Sequence, residues 1–215
     1  MSGDDLKEIF LGSGRAGRVQ VERHQDIYIC GDTERLIYFV ESGSVRVSRP
    51  SAAGRDCLLR IELAGGIFGE LALLEAHERL ETATAREKGA VWRMRGSDFW
   101  RELRKRDLLE PFVSHLILRM ADQDRRIAHL ITEPSLRRLG KMLLMLAHRL
   151  GTRTREGFRI GTRISHEELA DLVGTTRPRV STFLCDLRRR NLIEVSDNRH
   201  LVIHEESLRR FLGDF

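Results

Sequence analysis

The sequence predicts an α+β fold with an N-terminal β-roll of the double-stranded β-helix (jelly-roll-like) type, one long helix and a C-terminal winged helix-turn-helix. Three observations predict it. Short β-type runs alternate with turns from Val19 to Trp92, an apolar helical period extends over residues 108–131, and two capped helices flank Gly174. A length of 215 residues suits two domains with modest cores.

The β-roll is predicted from the alternation of strand-type runs and turn residues. The runs are IYIC, LIYFVESG, SVRVSR, DCLLRIEL and GAVWRM. The turn pairs between and beside them are Gly31-Asp32, Ser42-Gly43, Ala53-Gly54, Gly65-Gly66 and Lys88-Gly89. This rhythm is typical of an antiparallel barrel or roll.

The pattern becomes helical after Trp92. Ser97 and Asp98 are predicted to cap a short helix through Leu103. In the longer stretch over 108–131 an apolar stripe is formed by Phe112, Leu116, Met120, Ile127 and Leu130. The stripe predicts packing either on its own domain or in a two-stranded coiled coil, where Arg119 and Gln123 would help set the register.

A domain boundary is predicted at Thr132-Glu133-Pro134, because proline cannot continue the hydrogen bonding of the preceding helix. A further helix is expected from Ser135 to Leu150, with Gly151 as its stop. The charge also divides here. Residues 132–215 hold 16 basic and 11 acidic side chains, whereas residues 1–131 hold 21 of each, so the formal charge of +5 lies in the C-terminal part. A polyanionic partner is expected for that part alone.

The segment ISHEELADLVGTTRPRVSTFLCDLRRRNLIEV predicts a helix-turn-helix. Ser165 and Glu168 form a capping box, Gly174 supplies the turn, and Thr176 and Pro178 suit the start of a second helix. LIEV, SDNR and HLVIH follow as a two-stranded wing. The candidate DNA contacts are Ser165, Thr175, Thr176, Arg177, Arg179, Ser181, Thr182, Arg188 and Arg189. Arginine suits the paired acceptors of guanine, and the later arginines suit phosphate.

Other classes of protein are disfavoured. Cys30, Cys57 and Cys185 are far apart, which argues against a zinc site, a disulfide scaffold and an iron–sulfur cluster. A catalytic site would need a nucleophile–base pair or a metal cluster, and Glu70 has no identifiable chemical partner, so no enzyme is expected. No window approaches eighteen apolar residues and the start lacks a secretory signal, so a cytoplasmic protein without a membrane partner is expected.

Nearly the whole chain resembles the CRP/FNR family of bacterial transcription regulators. YICGDTERLIYFVESGSVRV resembles the family's strand-turn-strand entry, and GGIFGELALLEAHERLETATA resembles its phosphate-binding cassette. The resemblance implies a sensor domain over 1–106, a dimerisation helix over 107–131 and a winged helix-turn-helix over 132–215. It also implies a homodimer on a pseudo-palindromic operator, and contact of the 153–158 loop with RNA polymerase. A cyclic-nucleotide-binding module that acts on a protein partner is the alternative.

The same resemblance implies an effector site. Gly69 and Glu70 would contact a ribose, the amides of Leu71 and Ala72 would face a phosphate, and Arg79 would add charge. The chain departs from the cyclic-AMP pattern at Leu80, where a hydroxyl residue belongs, and at Gln123-Asp124, where a Thr-Ser pair reads adenine. The effector therefore stays unknown: a cyclic nucleotide is possible, haem on His77, His115 or His129 is less favoured, and an aromatic acid or no effector remain alternatives.

Overall fold

The computed structural model describes residues 3–50, 56–74, 78–155, 157–196 and 200–213. The chain divides into two compact units, and the division falls within one long helix between Asp122 and Gln123. The predicted turn at Ala53-Gly54 lies outside the described residues. Among the described residues, no helix is long and apolar enough to span a bilayer.

The first unit is built mainly from β-strands. Its elements are α1 (Gly3–Gly12), β1 (Gly17–Val21), β2 (Asp26–Tyr28), β3 (Leu36–Ser42), β4 (Ser44–Pro50), β5 (Asp56–Leu63), β6 (Ile67–Phe68), a 3-10 helix (Glu70–Leu73), β7 (Thr82–Ala85), β8 (Gly89–Arg95), α2 (Gly96–Lys105) and the start of α3 (Leu109–Thr132). The strands form two antiparallel sheets in the orders β1-β8-β3-β6 and β2-β7-β4-β5. The predicted β-roll is thereby confirmed.

Aromatic rings and alanines fill the space between the two sheets. The rings of Tyr38 and Phe68 stack at 5.0 Å, and Tyr28 lies 5.6 Å from Tyr38. Opposite them β7 buries Ala83 and Ala85 completely. Strand β7 was not predicted from the sequence, because alanine has a weak preference for strands and the TATA alternation carries little hydrophobic signal. Small side chains here make room for the large rings.

A second core lies where helices cover the other face of one sheet. Phe10 of α1, Phe99 of α2 and Phe112 of α3 meet Phe39 of β3 in this cluster. Phe10 stacks on Phe39 at 5.6 Å, and Phe99 meets Phe112 edge to face at 5.3 Å. Helix α1 was not predicted, although it supplies part of this core.

The predicted cap of α2 is wrong. The helix begins at Gly96 with Arg95 at the N-cap, and Ser97 and Asp98 lie within its first turn. Tertiary contact sets this start, since the amide of Gly96 donates to Arg35 O at 3.0 Å and a Cβ at Gly96 would collide with Ala72 O. Strand β8 therefore runs directly into the helix without a side-chain cap.

The second unit contains the remainder of α3 and the elements of the predicted winged helix-turn-helix. These are α4 (Ser135–Leu150), β9 (Gly151–Arg153), β10 (Phe158–Ile160), α5 (His166–Val173), α6 (Arg177–Arg189), β11 (Ile193–Val195), β12 (Leu201–Ile203) and α7 (Glu205–Leu212). The bounds predicted for α4 are confirmed. The wing strands β11 and β12 are confirmed as well, while residues 197–199 at its tip lie outside the described residues.

The wing belongs to a larger sheet than the sequence indicated. The strand order is β11-β12-β10-β9, so the hairpin of β9 and β10 extends the predicted pair. Strands β9 and β10 and helix α7 were not predicted from the sequence. Leu139, Leu143 and Leu212 are fully buried in this unit.

Candidate nucleic-acid interface and sensor site

The helix-turn-helix is formed by α5, the turn at Gly174 and α6. Ser165 Oγ accepts from the amide of Glu168 at 3.1 Å, and Glu168 Oε2 accepts from the amide of Ser165 at 2.8 Å. Gly174 ends α5 with φ +66°, a conformation that glycine adopts without strain. The capping box and the glycine turn are both confirmed.

The start of α6 differs from the prediction in one respect. Thr176 occupies the N-cap position but its side chain makes no capping hydrogen bond, and Pro178 lies in the first turn as expected. The Thr175 hydroxyl is buried and has no hydrogen-bond partner among the described residues. Ser181 Oγ bonds to Arg177 O at 3.1 Å and lies 2.8 Å from His166 Nδ1, while Thr182 Oγ1 donates to Pro178 O at 3.1 Å.

The arginines of α6 form two groups. Arg177, Arg179 and Arg188 are exposed and make no side-chain hydrogen bond or ion pair with the described residues. Arg189 and Arg190 instead bind Asp186 at 2.6 and 2.9 Å. The hydrogen bond from Arg189, followed by that from Arg190, lowers the pKa of Asp186. The first group offers guanidinium donors to an external acceptor, whereas the second is engaged along the helix.

Arg138 of α4 supports the turn at Gly174, a role that was not predicted from the sequence. Its Nε donates to Val173 O at 2.9 Å, and its Nη2 donates to Gly174 O at 3.1 Å. Its Nη1 also donates to Glu133 O at 2.7 Å. These bonds satisfy carbonyls at the end of α5 and hold the turn against α4. An arginine beside an otherwise apolar helix face was the only local signal of this role.

In the first unit the predicted cassette forms a tight turn followed by the 3-10 helix. Gly69 has φ +81° and precedes Glu70 at the helix start. The amide of Ala72 donates to Gly69 O at 3.0 Å, so this predicted anion donor already has an acceptor. Leu71 lies within the same turn, and Leu80 is half exposed.

Arg79 is the most buried arginine among the described residues, with 2% of its surface exposed. Its Nη1 donates to Gly69 O at 2.8 Å, and its Nη2 donates to Leu36 O. The guanidinium also lies 4.2 Å above the ring of Tyr28, a cation–π contact. Its Nε has no partner among the described residues. The residue predicted to attract a phosphate therefore braces the turn that holds Gly69.

A charged network surrounds Glu70, and most of its members were not predicted. Arg60 of β5 binds Glu81 at 2.9 Å and Glu70 at 3.2 Å. Arg119 of α3 binds the other oxygen of Glu70, and Tyr28 donates to Glu81 at 2.9 Å. Arg119, expected near a coiled-coil seam, thus pairs with the cassette instead. The only sequence signal was charge placed inside apolar strands, as in DCLLRIEL.

Burial and charge shift the ionisation of this network. Burial alone would lower the pKa of Arg60, but the charge and hydrogen bond of Glu81, together with the charges of Glu62 and Tyr28, outweigh it, so the pKa is raised. For Tyr28, whose charged form is an anion, burial raises the pKa, and the neighbouring Glu81 carboxylate raises it further. Arg60 is therefore a permanent cation that pairs with Glu62, Glu70 and Glu81, and Tyr28 is a permanent hydrogen-bond donor.

Helix α3 divides the predicted stripe between two environments. Phe112 is fully buried and Leu116 packs on the same core, as expected for a helix that covers its own domain. From Val113 onward another apolar line is exposed, formed by Val113, Ile117, Met120, Ile127 and Ile131, which are 48–80% accessible. Steps of four, three, seven and four residues place these side chains on one side of the helix.

Gln123 and Asp124 are exposed on α3, and Asp124 occupies the step between Met120 and Ile127. Each of the histidines His115 and His129 makes an interaction. The third haem candidate, His77, lies outside the described residues.

Comparisons with known proteins agree with this architecture. Residues 18–106 match the cyclic nucleotide-binding domain family, and residues 137–211 match the Crp-like helix-turn-helix domain family. The transcriptional regulator LdrP of Thermus thermophilus is 34% identical over 196 residues, which cover 89% of this chain and 94% of LdrP. The chain belongs to the CRP/FNR family.

Two further CRP/FNR relatives cover nearly the same length. The CRP-like cAMP-activated global transcriptional regulator of Mycobacterium tuberculosis is 30% identical over 198 residues, with 89% of this chain and 86% of the relative covered. The crystal structure of a CRP-family regulator from Thermus thermophilus superposes with a TM-score of 0.71 at 31% identity, covering 92% and 96% of the two chains. This CRP/FNR chain is accordingly a DNA-binding transcription regulator and not an enzyme.

Proposed function

We propose that this regulator acts as a homodimer whose two α6 helices enter successive major grooves of a pseudo-palindromic operator, about 34 Å apart. The exposure of Arg177, Arg179 and Arg188 on α6, without partners among the described residues, carries the proposal. Guanidinium groups that have no internal acceptor retain their full capacity to bind bases and phosphates.

The proposed roles on the DNA follow from position along α6. Arg177 reads a base, Arg179 contacts a base or phosphate, and Arg188 contacts phosphate. The remaining proposed contacts lie at helix starts or on the exposed surface: Ser165, Thr176 and Thr182. Ser181 and Arg189 are also proposed contacts, but DNA would have to compete with their internal bonds. Thr175 completes the set, and DNA would have to reach its buried hydroxyl.

The apolar line on α3 supports self-association. Apolar surface left in water costs about 25 cal/mol for each Å². A second α3 would cover these apolar side chains. Asp124 within the line would restrict the register, as polar residues do in helix pairs. We therefore propose a dimer that buries Val113, Ile117, Met120, Ile127 and Ile131.

An effector bound to the β-roll would bias the packing of the α3 pair and the presentation of α6. Such a bias requires that the effector bind the two arrangements with different affinity. The proposal places Gly69, Glu70, Leu71, Ala72, Arg79 and Leu80, with Gln123 and Asp124, as candidates for the site that responds. The protein would work in the cytoplasm, and the loop over 153–158 would contact RNA polymerase.

Two measurements test the function. An operator selected from random duplexes should be bound by a particle of twice the chain mass, as determined by light scattering. The logarithm of the affinity should fall linearly with the logarithm of salt concentration, at a slope of roughly −0.9 for each phosphate neutralised. A protomer that stays monomeric and ignores every duplex contradicts the proposal.

A further inference from the structure

The polar groups of the cassette are engaged with one another. Glu70 is held by Arg60 and Arg119, Glu81 is held by Arg60, and Arg79 donates to two backbone carbonyls from a buried position. An incoming anion would have to displace carboxylates from two arginines. This arrangement disfavours the cassette as the place where an anionic ligand binds.

The β-roll has a concave site beside the cassette, which the cassette borders through Ala72, Leu73 and Leu74. A cleft with a volume of about 730 Å³ opens between the end of β8, the segment before β3 and the start of α2. Its lining includes Arg35, Arg93, Arg95 and Trp100. The volume lies within the roughly 300–1,000 Å³ of small-molecule sites. All of its lining residues belong to the first unit.

The strand register explains why the arginines converge. Arg93 and Arg95 are two residues apart on β8, so both side chains leave the sheet on the same face, while Met94 between them is buried. Leu36 of β3 pairs with Arg95, and Arg35, which precedes Leu36, lines the same cleft as Arg93 and Arg95. The bond from the Gly96 amide to Arg35 O holds this backbone in place.

The cleft carries an excess of positive charge. Arg35, Arg93 and Arg95 are exposed and make no ion pair with the described residues. Arg15, also in the lining, is bound at 3.1 Å to Asp98, which does not line the cleft, and Glu34 is the one carboxylate among the lining residues. Like charges placed this close repel one another unless a counter-ion lies between them. Trp100, fixed by a bond from its Nε1 to Leu73 O at 3.2 Å, adds an apolar wall.

We propose that this arginine cleft, formed by Arg35, Arg93, Arg95 and Trp100, binds a small polyanion that bears phosphate or carboxylate groups. Guanidinium forks match both groups with paired hydrogen bonds, and the indole ring covers the apolar part of the ligand. As the effector of this regulator, a role that rests on the proposed function, the polyanion would act from the cleft beside the cassette.

Calorimetric titration of the full-length protein with pyrophosphate and with citrate, at constant ionic strength, tests the site. At least one anion should bind saturably, and which of them binds distinguishes phosphate from carboxylate chemistry. R93Q/R95Q should weaken binding by at least about tenfold, because it removes two guanidinium groups that donate charged hydrogen bonds. R23Q/R49Q removes the same charge from exposed positions outside the cleft and should change the affinity by less than about twofold.

Tryptophan fluorescence in a Trp92→Phe background gives a local signal, since Trp100 is then the remaining indole. Its emission should change with anion binding and lose that response in R93Q/R95Q. The proposal is overturned if neither anion binds saturably, if both double variants lose affinity equally, or if Arg119→Gln abolishes binding while R93Q/R95Q does not. Operator binding without anion should be the same in R93Q/R95Q and the parent, so failure of the DNA-binding proposal is recognised separately.

Discussion

The cassette and the first turn of α6 use the same side chain in opposite ways. In the cassette, Arg60 and Arg79 are buried or half-buried and donate to carboxylates and carbonyls of the chain itself. On α6, Arg177 and Arg179 are exposed and have no acceptor among the described residues. An arginine whose donors are already satisfied holds the fold together, whereas an open arginine is available to a ligand. Sequence alone does not separate the two, because the acceptors of Arg60 and Arg79 come from other segments of the chain.

The largest effect is expected where an internal arginine is removed. Arg79→Met should lower the free energy of unfolding by about 3 kcal/mol, because Gly69 O and Leu36 O lose a charged donor inside the unit. Urea denaturation followed by circular dichroism measures the change. Unaltered stability would show that Arg79 does not stabilise the fold. Buried and exposed arginines would then not differ in the way described above.

Removal of an open arginine should affect binding alone. Arg177→Ala is expected to cost about 1–3 kcal/mol in operator affinity and to relax one position of the recognised sequence. Its stability should change by less than about 0.5 kcal/mol. Arg210→Ala, at an exposed arginine of α7, is the matched control and should bind like the parent. Uniform weakening across all sequences would reassign Arg177 to a phosphate contact.

The pair of Glu70 and Arg119 tests whether the cassette network is cooperative. A double-mutant cycle with Glu70→Gln and Arg119→Gln should give a coupling energy of about 1 kcal/mol, since both side chains remain partly exposed to water. Urea denaturation of the four proteins supplies the values. Strictly additive effects would indicate that the two charges do not stabilise one another.

The smallest effect concerns Asp186, whose pairs with Arg189 and Arg190 are exposed. Its pKa is lower in the folded chain than the ordinary 3.8, so the pairs stabilise the fold above that pH and lose their contribution as the pH falls through the folded value. The stability difference between the parent and Asp186→Asn should therefore be constant at neutral pH and shrink below about pH 3.8. A difference that persists into strong acid would show that another property of the carboxyl group is responsible.

Much of the DNA-binding unit could be predicted from local sequence. Ser165 with Glu168, Gly174 and Pro178 each act on neighbouring residues, so their positions alone indicate where α5 and α6 begin and end. The start of α2 could not be predicted in this way, because the contacts of Gly96 with Arg35 and Ala72, rather than Ser97 or Asp98, determine it.

The candidate sites also differ in whether local sequence predicts them. The exposed arginines of α6 follow from helical period and charge, which are properties of a continuous segment. Arg60, Glu70, Glu81 and Arg119 meet through β5, the 3-10 helix, β7 and α3, and the arginine cleft likewise joins separate segments.

By itself, the sequence determined the family, the order of the strands and helices that carry strong period or capping signals, and the helix that we propose to face DNA. Only the tertiary structure decided which arginines donate hydrogen bonds to acceptors within the chain. It also decided that Phe112 belongs to the core while Val113 faces solvent. The physical reason is range: helix period, caps and turns act within about four residues, whereas burial and ion pairing depend on residues brought together from distant parts of the chain.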